Sequence, residues 1–152
     1  SKLAKPMGTT QIVIDLENLE YDPEALSELA SNLDHYTGFD SLELRVVPRA
    51  LGALSTDKAR KVGLALYSQI RKCRAQIHGH VTSLTSGAGV LIFFATDKLT
   101  FRPGAALTID GTSLIDPVLG PLIKDSISRF PDLFTPETLE VLSLGRPVIL
   151  RT

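Results

Sequence analysis

The spacing of apolar residues along the chain changes between a period of two and a period of about 3.6 residues. Alternating or continuous apolar runs predict β-strands over residues 11–16, 41–47, 76–81, 98–102, 105–109 and 147–150. Helical spacing predicts helices that begin at Asp22, cover 57–73, 90–95 and 122–130, and begin again at Thr135. Strands that alternate with helices in this way indicate an α/β domain with a largely parallel sheet.

The rest of the chain is arranged around the stretch from Gln76 to Pro103. This stretch passes from a short strand into small residues at 82–89, and then into the apolar run Val90 to Ala95. That run is too short to span a bilayer, so it predicts a buried core helix preceded by a turn. Small residues at such a turn let a ligand approach backbone N–H groups, which also stabilise an oxyanion beside a hydroxyl nucleophile. The same glycines equally fit a structural role, in which they only let two elements pack closely.

Two of the predicted helices have clear apolar stripes, and one later segment has none. The stripes that we expect to face the core are Val62, Leu66 and Ile70 in one helix and Leu139, Leu142 and Leu144 in the other. Residues 112–121 lack a period and are expected to be irregular. The wider segment 111–121 is nevertheless apolar, so we expect it to lie in a subunit or domain contact through Leu114, Ile115, Val118 and Leu119.

Composition and charge narrow the classes of function. The 152 residues predict one domain, residues 10–152, preceded by a flexible segment, a cloning remnant or the cut edge of a longer protein at residues 1–9. The 16 basic and 17 acidic residues give a net charge of −1, which argues against nucleic acid or an anionic membrane as partner. One cysteine, Cys73, excludes an internal disulfide framework and fits a reducing compartment. Residues 1–8 lack the apolar core of a signal peptide, so we expect a cytoplasmic protein without a membrane span.

Three segments resemble parts of the ClpP/crotonase superfamily, in the same order along the chain. The helix Lys61–Tyr67 (KVGLALY) is similar to the G-x-A-I-Y helix that follows the ClpP oxyanion loop. Residues 85–103 resemble the nucleophile turn, buried helix and strand, since signal-peptide peptidases read S-G-G, A-A-D-K-I and a proline where this chain reads SGA, ATDKL and Pro103. The tail from Asp132 to Gly145 resembles the ClpP ending D-x-F-(M/L)-(T/S)-x-E-E-A-x-x-Y-G-L.

The resemblance implies a repeated β-β-α superhelical fold of the ClpP/crotonase type with a largely parallel sheet. It is strongest on the peptidase side, with ClpP and signal-peptide peptidases, and implies a serine peptidase that forms an acyl-enzyme at the turn. Ser86 is the natural nucleophile because Gly87 follows it. Counting back from Pro103 without gaps places Thr85 at the nucleophile position instead, and counting forward from the preceding strand gives Ser83.

The general base is one part of the site at which this chain differs from ClpP. ClpP has a histidine after the post-nucleophile strand, and this chain has Asp110 there. Its histidines, His35, His78 and His80, all lie upstream, so a Ser-His-Asp triad in that order is absent. Signal-peptide-peptidase-like enzymes use a downstream lysine, which points to Lys124. A lysine base must be neutral and therefore buried, whereas an ordinary lysine on an amphipathic helix reaches into solvent.

Other positions of the family pattern are altered in this chain. Gly52 is the single glycine kept in the loop where ClpP reads P-G-G, so the implied oxyanion donors are the backbone N–H groups of Gly52 and Gly87. Asp132 matches the acidic position near the tail, but without a histidine it has no imidazole to orient. Enoyl-CoA hydratases carry glutamates where this chain has Leu91 and the pair Gly104-Ala105. Hydration would then lack both acid and base, and we exclude it.

His78 and His80 share one face of a predicted strand and are able to ligate a metal, but no third ligand is evident nearby. We therefore expect no metal and no cofactor. Two functions stay open: a peptidase that cleaves a peptide or protein through Ser86 and Lys124, or a catalytically inactive member that keeps the fold for assembly or ligand binding. Because the segment after Asp110 is short, we expect a small homo-oligomer, or a part of a larger protein or assembly, and not a ClpP-like double ring.

Overall fold

The computed structural model describes residues 9–14, 41–46, 56–73 and 76–152. This part of the chain forms two β-sheets and four α-helices. The strands are β1 (Thr9–Ile14), β2 (Ser41–Val46), β3 (Gln76–Val81), β4 (Leu84–Thr85), β5 (Lys98–Phe101), β6 (Ala106–Asp110) and β7 (Pro147–Leu150). The helices are α1 (Thr56–Lys72), α2 (Ala88–Phe94), α3 (Leu119–Arg129) and α4 (Pro136–Ser143), with a 3-10 helix at Gly111–Ile115.

The larger sheet is parallel throughout, in the order β1-β2-β3-β5. In β3, Ile77, Gly79 and Val81 are buried, while His78 and His80 alternate with them and are half-buried. The smaller sheet has the order β4-β6-β7, with β4 parallel to β6 and β7 antiparallel to it. The predicted α/β fold with a largely parallel sheet is therefore confirmed. Among the described strands, β7 alone runs antiparallel to its neighbour.

Helix α2 occupies the centre of the core. Residues 90–95 are all at most 6% exposed, and α2 contacts α1, α3, β2, β3 and β6. The helix buries every side because its sequence, AGVLIFF, has no polar residue to direct toward solvent. The prediction of a turn over 82–89 followed by a buried helix is confirmed, with the helix beginning at Ala88 and with the two-residue strand β4 inside the turn.

Two predictions about the C-terminal third are wrong. Most of residues 112–121 are helical, since 112–115 belong to the 3-10 helix and 119–121 to α3, with a turn at 116–118 between them. The carboxylate of Asp116 accepts hydrogen bonds from the backbone N–H groups of Val118 (2.8 Å) and Leu119 (3.0 Å), so side-chain capping starts α3 earlier than the apolar spacing suggests. Leu144 does not help to bury α4, because it follows the last helical residue and is 65% exposed.

Several predicted features lie outside the described residues. These are the N-terminal residues 1–8, the helix beginning at Asp22, His35 and the oxyanion-loop residue Gly52. The core stripe of α1 is described, and Val62, Leu66 and Ile70 are all buried as predicted, together with Tyr67.

Candidate functional site

The turn before α2 has an unusual backbone at Gly87. Its φ is 66° and its ψ is −139°, a conformation that residues with a side chain rarely adopt. A Cβ added at Gly87 would meet no atom within 4 Å. Glycine is therefore required here by the backbone conformation and not by close packing. The carbonyl of Gly87 accepts the N–H of Val90 at 3.1 Å, which starts α2 directly behind the turn.

The three hydroxyl groups of the turn differ in their access to solvent. Ser83 and Ser86 are exposed, whereas Thr85 is 1% exposed in β4. The Thr85 hydroxyl donates a long hydrogen bond of 3.4 Å to the carbonyl oxygen of Ser83. A substrate carbonyl thus has direct access to Ser86 or Ser83, and reaches Thr85 only if the turn opens.

The side chains predicted to assist the nucleophile are all exposed. Lys124 is exposed on α3, although its neighbour Ile123 is buried. No hydrogen bond joins Lys124 to Ser86 among the residues that the structure describes. Asp132 is exposed, and Asp110 is occupied at the end of β6, where its carboxylate accepts the N–H of Thr112 at 3.1 Å.

The two described histidines lie on the face of β3 that points away from α2. Gly79, between them, faces α2 so closely that an added Cβ would come within 3.1 Å of side-chain atoms of Phe93 and Thr96. By strand alternation, His78 and His80 point to the opposite face. Their rings stack with centroids 4.4 Å apart, and His80 Nδ1 hydrogen-bonds with the hydroxyl of Thr100 at 2.7 Å. His80 is thereby joined to β5, where Thr100 lies directly opposite it in the register.

Arg129, which the sequence did not single out, holds the far end of α2. Its guanidinium donates hydrogen bonds to the carbonyl oxygens of Thr96 (2.8 Å) and Phe94, and its Nε lies 2.8 Å from the carboxylate of Asp125. The available sequence signal was the i, i+4 pair of an acid and a base at the end of a helix. That pattern predicts a surface ion pair and gives no indication of contacts with α2.

The described part of the chain contains no cluster of three or more histidine, cysteine or acidic side chains that could hold a metal ion. None of the helices in the described segments is long and apolar enough to cross a membrane.

Comparison with solved structures identifies the fold. The chain superimposes on an enoyl-CoA hydratase from Bacillus anthracis with a TM-score of 0.56, at 14% sequence identity, covering 93% of this chain and 60% of that one. With an enoyl-CoA hydratase from Mycobacterium smegmatis the TM-score is 0.56 at 14% identity, and the match covers 91% of this chain and 60% of that one. With one from Shewanella pealeana the TM-score is 0.54 at 13% identity, and the match covers 93% of this chain and 60% of that one.

The chain has the crotonase fold. It spans about 60% of the length of these hydratases. At this level of identity the likeness concerns the fold that crotonases share with ClpP, and the peptidase branch of the superfamily is not singled out. No protein-family model matches the sequence, and no curated protein matches it either.

Proposed function

We propose that this crotonase-fold protein is a hydrolase of the serine-peptidase type, in which Ser86 forms an acyl-enzyme with a peptide or protein substrate. The observation that carries the proposal is the exposed hydroxyl of Ser86 directly before the positive-φ Gly87 at the start of the buried helix α2. A turn that presents a serine hydroxyl beside backbone N–H groups supplies the nucleophile and the oxyanion donors of an acyl transfer.

In the proposed reaction the Ser86 oxygen attacks the substrate carbonyl carbon, and the Ser86 proton passes to Lys124. The carbon–nitrogen bond then breaks, the leaving amine takes that proton, and water hydrolyses the ester. The N–H groups of Gly87 and Gly52 are the proposed oxyanion donors. Lys124 is exposed in the single chain, so the proposal requires bound substrate or another subunit to exclude water from it.

The test is a fluorophosphonate probe, followed by mass-spectrometric mapping of the modified residue. We expect the label on Ser86, its loss in Ser86→Ala, and its retention in Ser83→Ala, which removes a second exposed hydroxyl from the same turn. Lys124→Met should lower turnover of a peptide substrate by ~100- to 10,000-fold, while Lys61→Met, at another exposed lysine, should not. The double variant Ser86→Ala/Lys124→Met should turn over the peptide substrate no more slowly than either single variant, because the two residues act as a unit.

The second candidate is a catalytically inactive crotonase-fold scaffold, and the exposure of Lys124 is the observation that favours it. The buried apolar residues Leu91 and Ala105 also stand where the resemblance assigns carboxylates of hydratases, so acyl-CoA hydration offers no alternative chemistry. Absence of probe labelling on Ser83, Thr85 and Ser86 in folded protein would decide for the scaffold.

A further inference from the structure

In the described part of the chain, strand β7 has one edge without a partner strand, and the hydrogen bonds of its other edge show which backbone groups point there. Within the described residues, β7 pairs only with β6 and lies at the edge of the smaller sheet. The N–H of Gly111 donates to the carbonyl of Arg146 at 3.1 Å, so this pair is hydrogen-bonded across the two strands. Because such pairs alternate in antiparallel strands, the N–H and C=O of Ile149 point away from β6, to the free edge.

The side chain of Ile149 also lacks cover. It is 61% exposed, while its neighbours Val148 and Leu150 are buried on the opposite face of the strand. Leu84, on the other edge strand of the same sheet, is 66% exposed. No charged residue lies within β7, and the charges nearest to it are Arg146 and Arg151 at its two ends.

We propose that a second copy of this chain pairs antiparallel with β7, with the twofold axis beside Ile149. This inference is independent of the chemistry proposed for Ser86. In this register Ile149 faces its own copy, and their backbone groups exchange two hydrogen bonds. The N–H of Arg151 on each copy donates to the carbonyl of Pro147 on the other. Pro147 has no N–H, so the carbonyl of Arg151 on the other copy receives no hydrogen bond from it, and the register is limited to these four bonds.

Charge complementarity favours a second copy over an unrelated strand. The register places Arg151 of one copy opposite Pro147 of the other, on the face where Pro147 already pairs with Asp110 of β6. Arg151 and Asp110 are both exposed. Neighbouring strands are ~4.8 Å apart, so the long arginine side chain can reach across the small proline ring to the carboxylate. The twofold axis forms this pair twice, and Arg146 falls opposite Thr152, so no like charges meet.

The expected dimer is weak, because the contact is small. Stable protein interfaces bury roughly 1,200–2,000 Å² in total, and two paired four-residue strands with their isoleucines bury less than that. The wild-type chain should therefore sediment as a dimer at high concentration and dissociate on dilution.

A cysteine cross-link tests the register. Opposed residues of a hydrogen-bonded antiparallel pair have Cα atoms ~5.5 Å apart, which is within disulfide range. We expect Ile149→Cys to form a disulfide-linked dimer under mild oxidation. Ile115→Cys, at an isoleucine that is 85% exposed on the 3-10 helix, should stay largely monomeric on denaturing gels. Equal cross-linking of the two variants would reflect random collision and would overturn the proposed register.

Analytical ultracentrifugation of matched glutamate variants tests the interface itself. Ile149→Glu brings two like charges together at the axis and should give a monomer, with little loss of stability because the site is exposed. Ile115→Glu adds the same charge elsewhere and should leave the dimer intact. A wild-type chain that is still monomeric at about 1 mM would overturn the proposal. Dissociation by Ile115→Glu instead would place the contact on the segment 111–121.

Discussion

Asp116 joins the start of α3 to α1 through its carboxylate. It accepts the backbone N–H groups of Val118 and Leu119 at the start of α3, and it lies 2.8 Å from the guanidinium of Arg60 on α1. The hydrogen bonds from Leu119 and Val118, followed by Arg60, hold the pKa of Asp116 below its ordinary value of 3.8. All of these contacts favour the ionised form.

The lowered pKa predicts how stability depends on pH. A carboxylate whose pKa is lower in the folded than in the unfolded state stabilises the fold fully above the unfolded value, and this contribution is lost as the pH falls through the folded value. We therefore expect wild type to be more stable than Asp116→Asn at pH 7, and we expect the difference to shrink as the pH falls below about 4. Urea unfolding midpoints of both proteins over this pH range measure the effect. Asp132→Asn, at an exposed carboxylate, is the control, and a difference that grows with acidity would contradict the assignment.

At the scale of elements, Arg129 links α3 to the end of α2 through hydrogen bonds. The last carbonyl groups of a helix have no partner within it, and the guanidinium supplies charged donors to Phe94 and, just beyond, to Thr96. The Arg129 side chain is only 20% exposed, so these hydrogen bonds are partly shielded from water. Its ion pair with Asp125 is more open, because Asp125 is 50% exposed.

Replacement of Arg129 should therefore destabilise the protein far more than replacement of Asp125. We expect Arg129→Met, which keeps much of the side-chain volume, to lower the free energy of unfolding by about 3 kcal/mol, since two hydrogen bonds from a charged donor are lost. Asp125→Asn should cost less than about 1 kcal/mol, as is usual for an exposed ion pair. Chemical denaturation followed by circular dichroism gives both values, and similar losses in the two variants would show that the ion pair is the important contact.

The elements that were predicted well are those whose own sequence determines them. Helix α2 follows from an unbroken apolar run, and its turn follows from the small residues before it. The ordered segment after β6 was missed because its structure depends on packing. A Cβ at Gly111 would come within 2.5 Å of the carbonyl oxygen of Leu142, so this glycine is required by the close approach of α4. The spacing of apolar residues along the chain does not predict a contact between segments that are distant in sequence.

At the scale of the whole molecule, strand pairing was the hardest feature to predict. Residues 84–85, 106–110 and 147–150 come together in one sheet, although long stretches of sequence separate them. The alternation within a strand shows which face is buried, but it does not specify the partner strand or its direction. The site has the same limit: the turn at Ser86 was visible in the sequence, whereas the exposure of Lys124 depends on how α3 packs.

The complete enclosure of α2 has a consequence for hydrogen exchange. Its amides from Leu91 to Phe94 lie beneath other elements on every side, so solvent reaches them only when the surrounding layers separate. We expect these amides to exchange at the rate set by global unfolding, with the same urea dependence as the whole protein. The peptide bonds of α4, which is exposed at Val141, should exchange through smaller openings. Mass spectrometry of hydrogen exchange at increasing urea would then make α2 a reporter of the stability of the entire domain. Exchange of the α2 amides at lower urea than those of α1 would contradict this expectation.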